Sequence, residues 1–271
     1  MMLVNGQWQD SVSALDRGLS YGDGLFETIR MVGAQAPLWE RHMQRLAAGC
    51  VRLRMPAPDP QQLWREVQQV SAALPDAVVR VTLTRGTGER GYAPPKTSSM
   101  TRIVAAFPAP MIPAAFYRDG IRTRLCTTTL ADQPLLAGIK HLNRLEQVLA
   151  RAEWDDPLIT EGLVCDQHGQ VISATAANLF AVIDGVLLTP SVERCGVAGV
   201  ARAAVIQAHA ACEIRDLPLT ECLRASELFL SSSVRGILPV QAVGDTVYAP
   251  GPVTRAMQRY WCELGFSMEQ A

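Results

Sequence analysis

The sequence lacks a CxxC pair, an apolar run long enough to cross a bilayer, and any extended block of like charge. Its 271 residues include seven cysteines, Cys50, Cys126, Cys165, Cys195, Cys212, Cys222 and Cys262, scattered without metal-ligand spacing. An odd number cannot all pair within one chain, so reduced thiols and a cytoplasmic location are expected, and the spacing leads to the expectation of no bound metal. The start, Met1-Met2-Leu3-Val4-Asn5-Gly6, has no basic segment followed by an apolar stretch, and the apolar region 105–116 is interrupted by Pro108, Pro110 and Pro113. Neither a secretory leader nor a membrane span is expected. With 25 basic and 26 acidic residues the net charge is −1, which offers nucleic acid no general attraction. Internal repeats and low-complexity tails are also missing. What remains is 48% hydrophobic and 19% charged, enough for a sizeable core and for two compact units.

Periodicity organises the chain. Alternation in 26–32 predicts a half-buried strand after turns at Asn5-Gly6 and Gly22-Asp23-Gly24. The opening itself reads as short strands around those turns. Met43, Leu46, Ala47 and Cys50 form an apolar stripe that predicts a helix over 40–53, and Leu63, Val67 and Val70 predict another over 60–74. Strands are expected at 77–85 and 101–107, separated by the glycine-rich turn 85–92. The prolines that follow favour an extended connection. A smaller N-terminal α/β domain is therefore expected over 1–107, a connection over 108–120 and a larger C-terminal α/β domain over 121–271. In the second half, strands are expected at 121–128, 162–165, 179–182, 186–188 and 227–230, with helices at 199–211 and 253–264. Leu142, Leu145, Val148, Leu149 and Ala152 recur at helix spacing directly after Lys140. Trp39, Trp64, Trp154 and Trp261 lie on or beside apolar helical faces and read as packing residues.

Several residues have chemistry to offer. Lys140 stands among small and apolar neighbours where a loop passes toward a helix, and a partly desolvated lysine amine is a nucleophile for carbonyl groups. Gly196 and Gly199 precede an expected helix whose unpaired first-turn amides are suited to a phosphate. Ser231-Ser232-Ser233 follows an apolar strand and has hydroxyl donors for the same anion. His42 and Arg45 share one side of a helix, and the Arg45 fork suits phosphate. Arg85, Arg90 and Tyr92 occupy the glycine-rich turn, where carboxylates are natural partners. Each also has a plain reading: surface lysine, helix cap, polar turn, solvated helix residue, solvated loop. Asn178 reads equally as an organiser of local backbone.

The order of the motifs is more specific than any one of them. Tyr21-Gly22-Asp23-Gly24-Leu25-Phe26-Glu27, His42-x-x-Arg45-Leu46 and Arg85-Gly86-x-Gly88-x-Arg90-Gly91-Tyr92 are followed by Lys140-His141-Leu142-Asn143 and Asn178-Leu179-Phe180. Gly196-Val197-x-Gly199-Val200-x-Arg202 and Pro239-Val240 complete the series. Together these blocks, spread over nearly the whole chain, resemble the class IV aminotransferase family of fold type IV pyridoxal-phosphate enzymes. The resemblance implies an α/β, two-domain fold with pyridoxal 5'-phosphate between the domains, and a homodimer. It implies Lys140 as the lysine that bonds to the cofactor, and Thr28 as a proton donor facing substrate. It implies Arg45, the Val200 and Ala201 amides, Ser233 and, nearby, Ser232 as phosphate ligands, and Arg90 and Tyr92 as substrate contacts. The run 138–149 resembles the lyase branch, which implies cleavage of 4-amino-4-deoxychorismate to 4-aminobenzoate and pyruvate. Transamination of a branched-chain or D-amino acid is the alternative. One position departs from the family: where its members commonly place a glutamate against the cofactor's ring nitrogen, this chain has Ser173. A serine at that cofactor-binding position supplies a hydrogen bond but no compensating charge.

Overall fold

The structure, a computed structural model, describes residues 1–96 and 99–268. The chain groups into two compact units, Met1–Pro110 with Ile139–Asn143, and Met111–Gly138 with Arg144–Ala271.

The first unit runs β1 (Met2–Val4), β2 (Gln7–Trp8), α1 (Arg17–Tyr21), β3 (Gly24–Val32), α2 (Trp39–Arg52), α3 (Pro60–Ser71), β4 (Asp76–Thr84) and β5 (Thr101–Pro108). Its five strands pair antiparallel in the order β2-β1-β5-β4-β3, which leaves β3 at an edge. Asn5 and Gly6 both take positive φ in the two-residue β1–β2 turn, the backbone such a hairpin demands. Alternation sends Leu25, Ile29 and Met31 of β3 and Val79, Val81 and Leu83 of β4 to one buried face, against which α2 and α3 pack. Gly49 of α2 is needed for that approach, because a Cβ there would lie 2.8 Å from a Leu25 methyl. Helix α3 starts as its sequence suggests, with Asp59 accepting the Gln61 N–H at 2.9 Å and Pro60 in the first turn. Helix α1, by contrast, replaces part of the stranded opening expected from sequence. Five residues are too few to show a period, and its signals are local: an Asp16 cap on the Gly18 N–H and a left-handed Gly22 at its end.

The second unit contains α4 (Ala114–Arg118), β6 (Ile121–Leu125), α5 (Leu145–Arg151), β7 (Glu161–Cys165), β8 (Val171–Ala174), β9 (Asn178–Ile183) and β10 (Val186–Pro190). They are followed by α6 (Val200–Ala208), β11 (Glu213–Arg215), α7 (Leu219–Cys222), β12 (Glu227–Ser232), β13 (Gly236–Val243), β14 (Thr246–Val247) and α8 (Pro252–Glu263). The nine strands form a mixed sheet in the order β11-β10-β9-β12-β13-β6-β7-β8, with β14 beside β13. Leu163, Leu179, Leu228, Leu230 and Leu238 fill one core cluster, and the Phe180 and Phe229 rings stack with centroids 4.9 Å apart. Strand β13 has no counterpart among the strands expected from sequence, and it carries Pro239, which has no N–H to give a ladder. It is tolerated because β13 begins to pair with β6 only at Val240, one residue later. The connection expected to be extended contains α4. Helix α5 also begins later than its pattern predicts, at Leu145. Its apolar stripe is exposed in the chain, with Leu145 at 75%, Val148 at 58% and Leu149 at 61%. All seven cysteines are unpaired thiols. Among the described residues no helix is long and apolar enough to cross a membrane, and no His/Cys/Asp/Glu group is arranged to hold a metal ion.

Candidate active site

Lys140, one of two lysines in the chain, is positioned by main-chain atoms. The segment 140–142 lies along the open edge of β3: Phe26 N–H donates to the Lys140 carbonyl at 2.9 Å, and Leu142 N–H to that of Gly24 at 3.0 Å. An antiparallel bridge between Leu25 and His141 sets the register, so Lys140 stands opposite Phe26 and shares its face. The Lys140 Nζ sits 4.3 Å from the Phe26 ring centroid. Thr28, two residues on, occupies the same face, and its partner across β4 is Arg80, whose guanidinium lies 4.4 Å from the same ring. An amine and a guanidinium thus lie against one phenyl ring, with Thr28 on the same face of the strand. Arg80 escaped the sequence reading, which used 77–85 only as a strand; its place on the outward alternation was the available signal. Gly24 cannot be larger, since a Cβ there would come within 2.2 Å of the Leu83 carbonyl oxygen.

The opposite face of β3 presents Glu27, a carboxylate in an otherwise apolar run and 1% exposed. Arg45 donates its Nε to Glu27 Oε1 at 2.8 Å and its Nη2 to Oε2, while His42 Nδ1 lies 2.6 Å from Oε2. His42 and Arg45 thus share one side of α2, as their spacing predicts, and both meet Glu27, which the sequence reading missed. Burial pushes the Glu27 carboxyl up, but the charge and hydrogen bonds of Arg45, with His42, outweigh it and hold the pKa at about 2. Burial pushes His42 down, and the hydrogen bond and charge of Glu27 do not fully compensate for that and for the nearby charges of Arg45 and Lys140. A neutral imidazole, an ionised carboxylate and a fixed guanidinium result.

In the second unit Val200 and Ala201 open α6. Their N-cap is Gly199, which has no side chain to occupy the first amides. Asn178 shapes that turn: its Nδ2 donates to the Val197 carbonyl at 2.9 Å, and its Oδ1 fills the space a Cβ on Gly199 would need, 2.0 Å away. Asn178 pairs with Ser231 across β9 and β12, which sets the end of the serine run beside this turn. Ser232 Oγ accepts the Arg235 N–H at 3.0 Å, and Ser233 is half-buried. Ser173 lies on β8 opposite Val164 of β7. The carboxylate on that neighbouring strand, Glu161, is engaged by Thr175 Oγ1 at 2.5 Å and by Arg235, so it is committed elsewhere. In the first unit, Arg90 and Tyr92 are exposed on the loop after β4, Tyr92 by 86%.

Both Glu27 and His42 bind protons more weakly in the folded chain than in the unfolded one. Glu27 contributes stability fully above its unfolded value of 4.5, and the contribution disappears as pH falls toward about 2. The His42 contribution is complete above 6.5 and declines as pH falls. Glu27→Gln is expected to lower the unfolding free energy near neutral pH by about 3 kcal/mol, because it leaves Arg45 without its charge partner. It should also flatten the acid limb of stability against pH below about 4.5. Urea denaturation across that range tests both; an unchanged midpoint at neutral pH would contradict the assignment.

The chain resembles known proteins along nearly its whole length. The family profile "Amino-transferase class IV" matches residues 24–243. An aminodeoxychorismate lyase from Vibrio harveyi is 36% identical over 270 residues, covering 95% of this chain and 98% of that protein. The crystal structure of 4-amino-4-deoxychorismate lyase from Pseudomonas aeruginosa superposes with a TM-score of 0.92 at 44% identity, covering 97% of this chain and 98% of that one. The branched-chain amino acid aminotransferase of Escherichia coli gives a TM-score of 0.84 at 26% identity, over 95% of this chain and 92% of that one. With its two-sheet α/β architecture and this span of likeness, the chain belongs to the class IV aminotransferase family and has the type IV fold.

Proposed function

We propose that the chain is a pyridoxal-5'-phosphate-dependent lyase that converts 4-amino-4-deoxychorismate into 4-aminobenzoate and pyruvate, a step that supplies folate synthesis. The observation that carries this reading is Lys140 fixed on the β3 edge beside Phe26, Thr28 and Arg80, in a chain whose likeness to two lyases spans nearly its full length. The residues suit the cofactor: a half-buried amine held by main chain, and a helix start whose glycine cap leaves its first amides without a side-chain partner. Lys140 is the residue that bonds to it. Val200 and Ala201 amides, Arg45, Ser233 and Ser232 hold its phosphate, and Ser173 serves its ring nitrogen.

When bound, the cofactor supplies an electron sink that acidifies the hydrogen on the substrate's amine-bearing carbon. Lys140, its amine released once the substrate amine takes its place, would be the base that takes this hydrogen. The electron pair left behind completes the aromatic ring as the carbon–oxygen bond to the enolpyruvyl group breaks. Thr28 donates a proton to the departing three-carbon fragment, which leaves as pyruvate. The substrate carries two carboxylates, and Arg80, Arg90 and Tyr92 orient them.

The unpaired thiols support a cytoplasmic location. The exposed apolar stripe of α5 supports a homodimer, in which a second copy covers Leu145, Val148 and Leu149.

The purified cofactor-loaded protein should release 4-aminobenzoate and pyruvate in equal amounts without a keto-acid acceptor. Lys140→Ala should abolish this, and borohydride reduction followed by peptide mass analysis should place the pyridoxyl group on Lys140. Turnover that requires a keto acid would select the transaminase instead. Because Ser173 has no charge and Glu161 is occupied, the ring nitrogen should be unprotonated or only weakly protonated in the resting enzyme. Nitrogen-resolved NMR of labelled cofactor reads this directly, and a fully protonated nitrogen would sink it. Sedimentation should give twice the chain mass, and Leu149→Asp should shift the protein toward the monomer; a monomeric wild type rules out the dimer.

A further inference from the structure

The motif Tyr21-Gly22-Asp23-Gly24 and the distant Arg85-Gly86-Thr87-Gly88-Glu89-Arg90-Gly91-Tyr92 have no common role in the reaction described above, yet one side chain joins them. Arg17, the first residue of α1, is 4% exposed. Its Nε donates to Asp23 Oδ2 at 2.9 Å. Three further bonds go to one tripeptide more than seventy residues away: Nη1 to the Gly91 carbonyl at 3.0 Å and the Ala93 carbonyl at 3.4 Å, and Nη2 to the Tyr92 carbonyl at 3.1 Å.

The surroundings hold Arg17 in that pose. Asp23 also receives Arg85 through Nε at 2.8 Å and Nη2 at 3.0 Å, and Arg85 is itself tied to the Leu53 and Arg54 carbonyls. The Arg17 N–H bonds to the Gly86 carbonyl at 2.8 Å, and Asp16 bridges to Thr87. Gly88 lies against the arginine stem, where a Cβ would come within 3.0 Å of its Cδ. The Arg17 guanidinium lies 4.9 Å from the Tyr21 ring, which in turn meets the Tyr92 ring at 5.5 Å, and Tyr21 Oη accepts the Gly91 N–H at 3.3 Å. Residues 88–96 form neither helix nor strand, so regular pairing does not place the tip.

We propose that Arg17 is a positioning residue for substrate recognition: anchored on Asp23, it holds the main chain of 91–93 and so sets where Arg90 and Tyr92 stand. A planar fork reaches three successive carbonyls, whereas an ammonium on a flexible stem does not. The residue acts through the loop and does not touch substrate. The inference rests on the reading of Arg90 and Tyr92 as substrate contacts, and its test separates the two.

Cofactor-loaded wild type, Arg17→Lys, Arg17→Gln and Arg90→Gln are compared by steady-state kinetics with 4-amino-4-deoxychorismate and by hydrogen exchange of the loop amides without substrate. Arg17→Lys keeps the charge beside Asp23 and should melt like the wild type. It should nevertheless raise KM about tenfold with kcat within about twofold, because loop placement affects binding more than the chemical step. Exchange at 88–94 should accelerate, and cofactor affinity should be unchanged. Arg17→Gln should show the same pattern more strongly; if it fails to fold, Arg17→Lys decides. A raised KM in Arg90→Gln with wild-type KM and exchange in Arg17→Lys would overturn the role of Arg17. An unchanged KM in Arg90→Gln, with faster loop exchange in Arg17→Lys, would leave Arg17 as the loop's anchor and reject Arg90 as a substrate contact.

Discussion

The site is built on a short antiparallel pairing of 140–142 with the open edge of β3. Two main-chain hydrogen bonds convert a stretch with no helix or strand of its own into a continuation of the five-stranded sheet, which satisfies an edge that would otherwise present unpaired groups. The register does the rest. Because opposite residues share a face, one bridge at Leu25 and His141 puts the Lys140 amine on the side with Phe26, Thr28 and Arg80. The same alternation sends Glu27 to the other side, where it fixes Arg45 and His42. A one-residue slip would exchange the two faces and dismantle both groups.

Much of this architecture was readable from periodicity. The strand at 26–32, the helices over 40–53 and 60–74 and the strand at 77–85 all reappear with small changes at their ends. They were readable because each buries at least one apolar face, which leaves a repeating trace in the residues; β3 goes further than the half-buried strand expected, with Phe26 and Arg30 of its second face buried as well. Where that link fails, the reading failed too. Helix α5 has an apolar stripe but exposes it, so its pattern predicts a helix packed within the chain and started too early. Strand β13 contains a proline whose tolerance depends on where β6 begins. Helix α1 is specified by a cap and a left-handed glycine, which set its ends without any period.

The chemistry was visible in a different way. Lys140, Arg45 and the glycine-led start of α6 are singled out by residue type and order, and Thr28 by the family resemblance. Their partners are not, because partners depend on contacts between residues far apart in sequence. Glu27 looked like part of a strand, and Arg80 like any charge on an exposed face. Asn178 was recognised as an organiser of backbone, and the space it fills at Gly199 shows why no larger residue fits there. Arg17, silent in the sequence, links two motifs that otherwise have nothing in common.

The β3 docking of 140–142 uses carbonyl and amide groups alone, and the tight constraint at its margin is on Gly24, where the main chain of β4 leaves no room. Scaffold and reactivity are therefore carried by different atoms. Side chains along the Phe26–Thr28–Arg80 face can be exchanged for others without disturbing the bonds that hold the segment, so one frame is free to serve more than one reaction as those groups change.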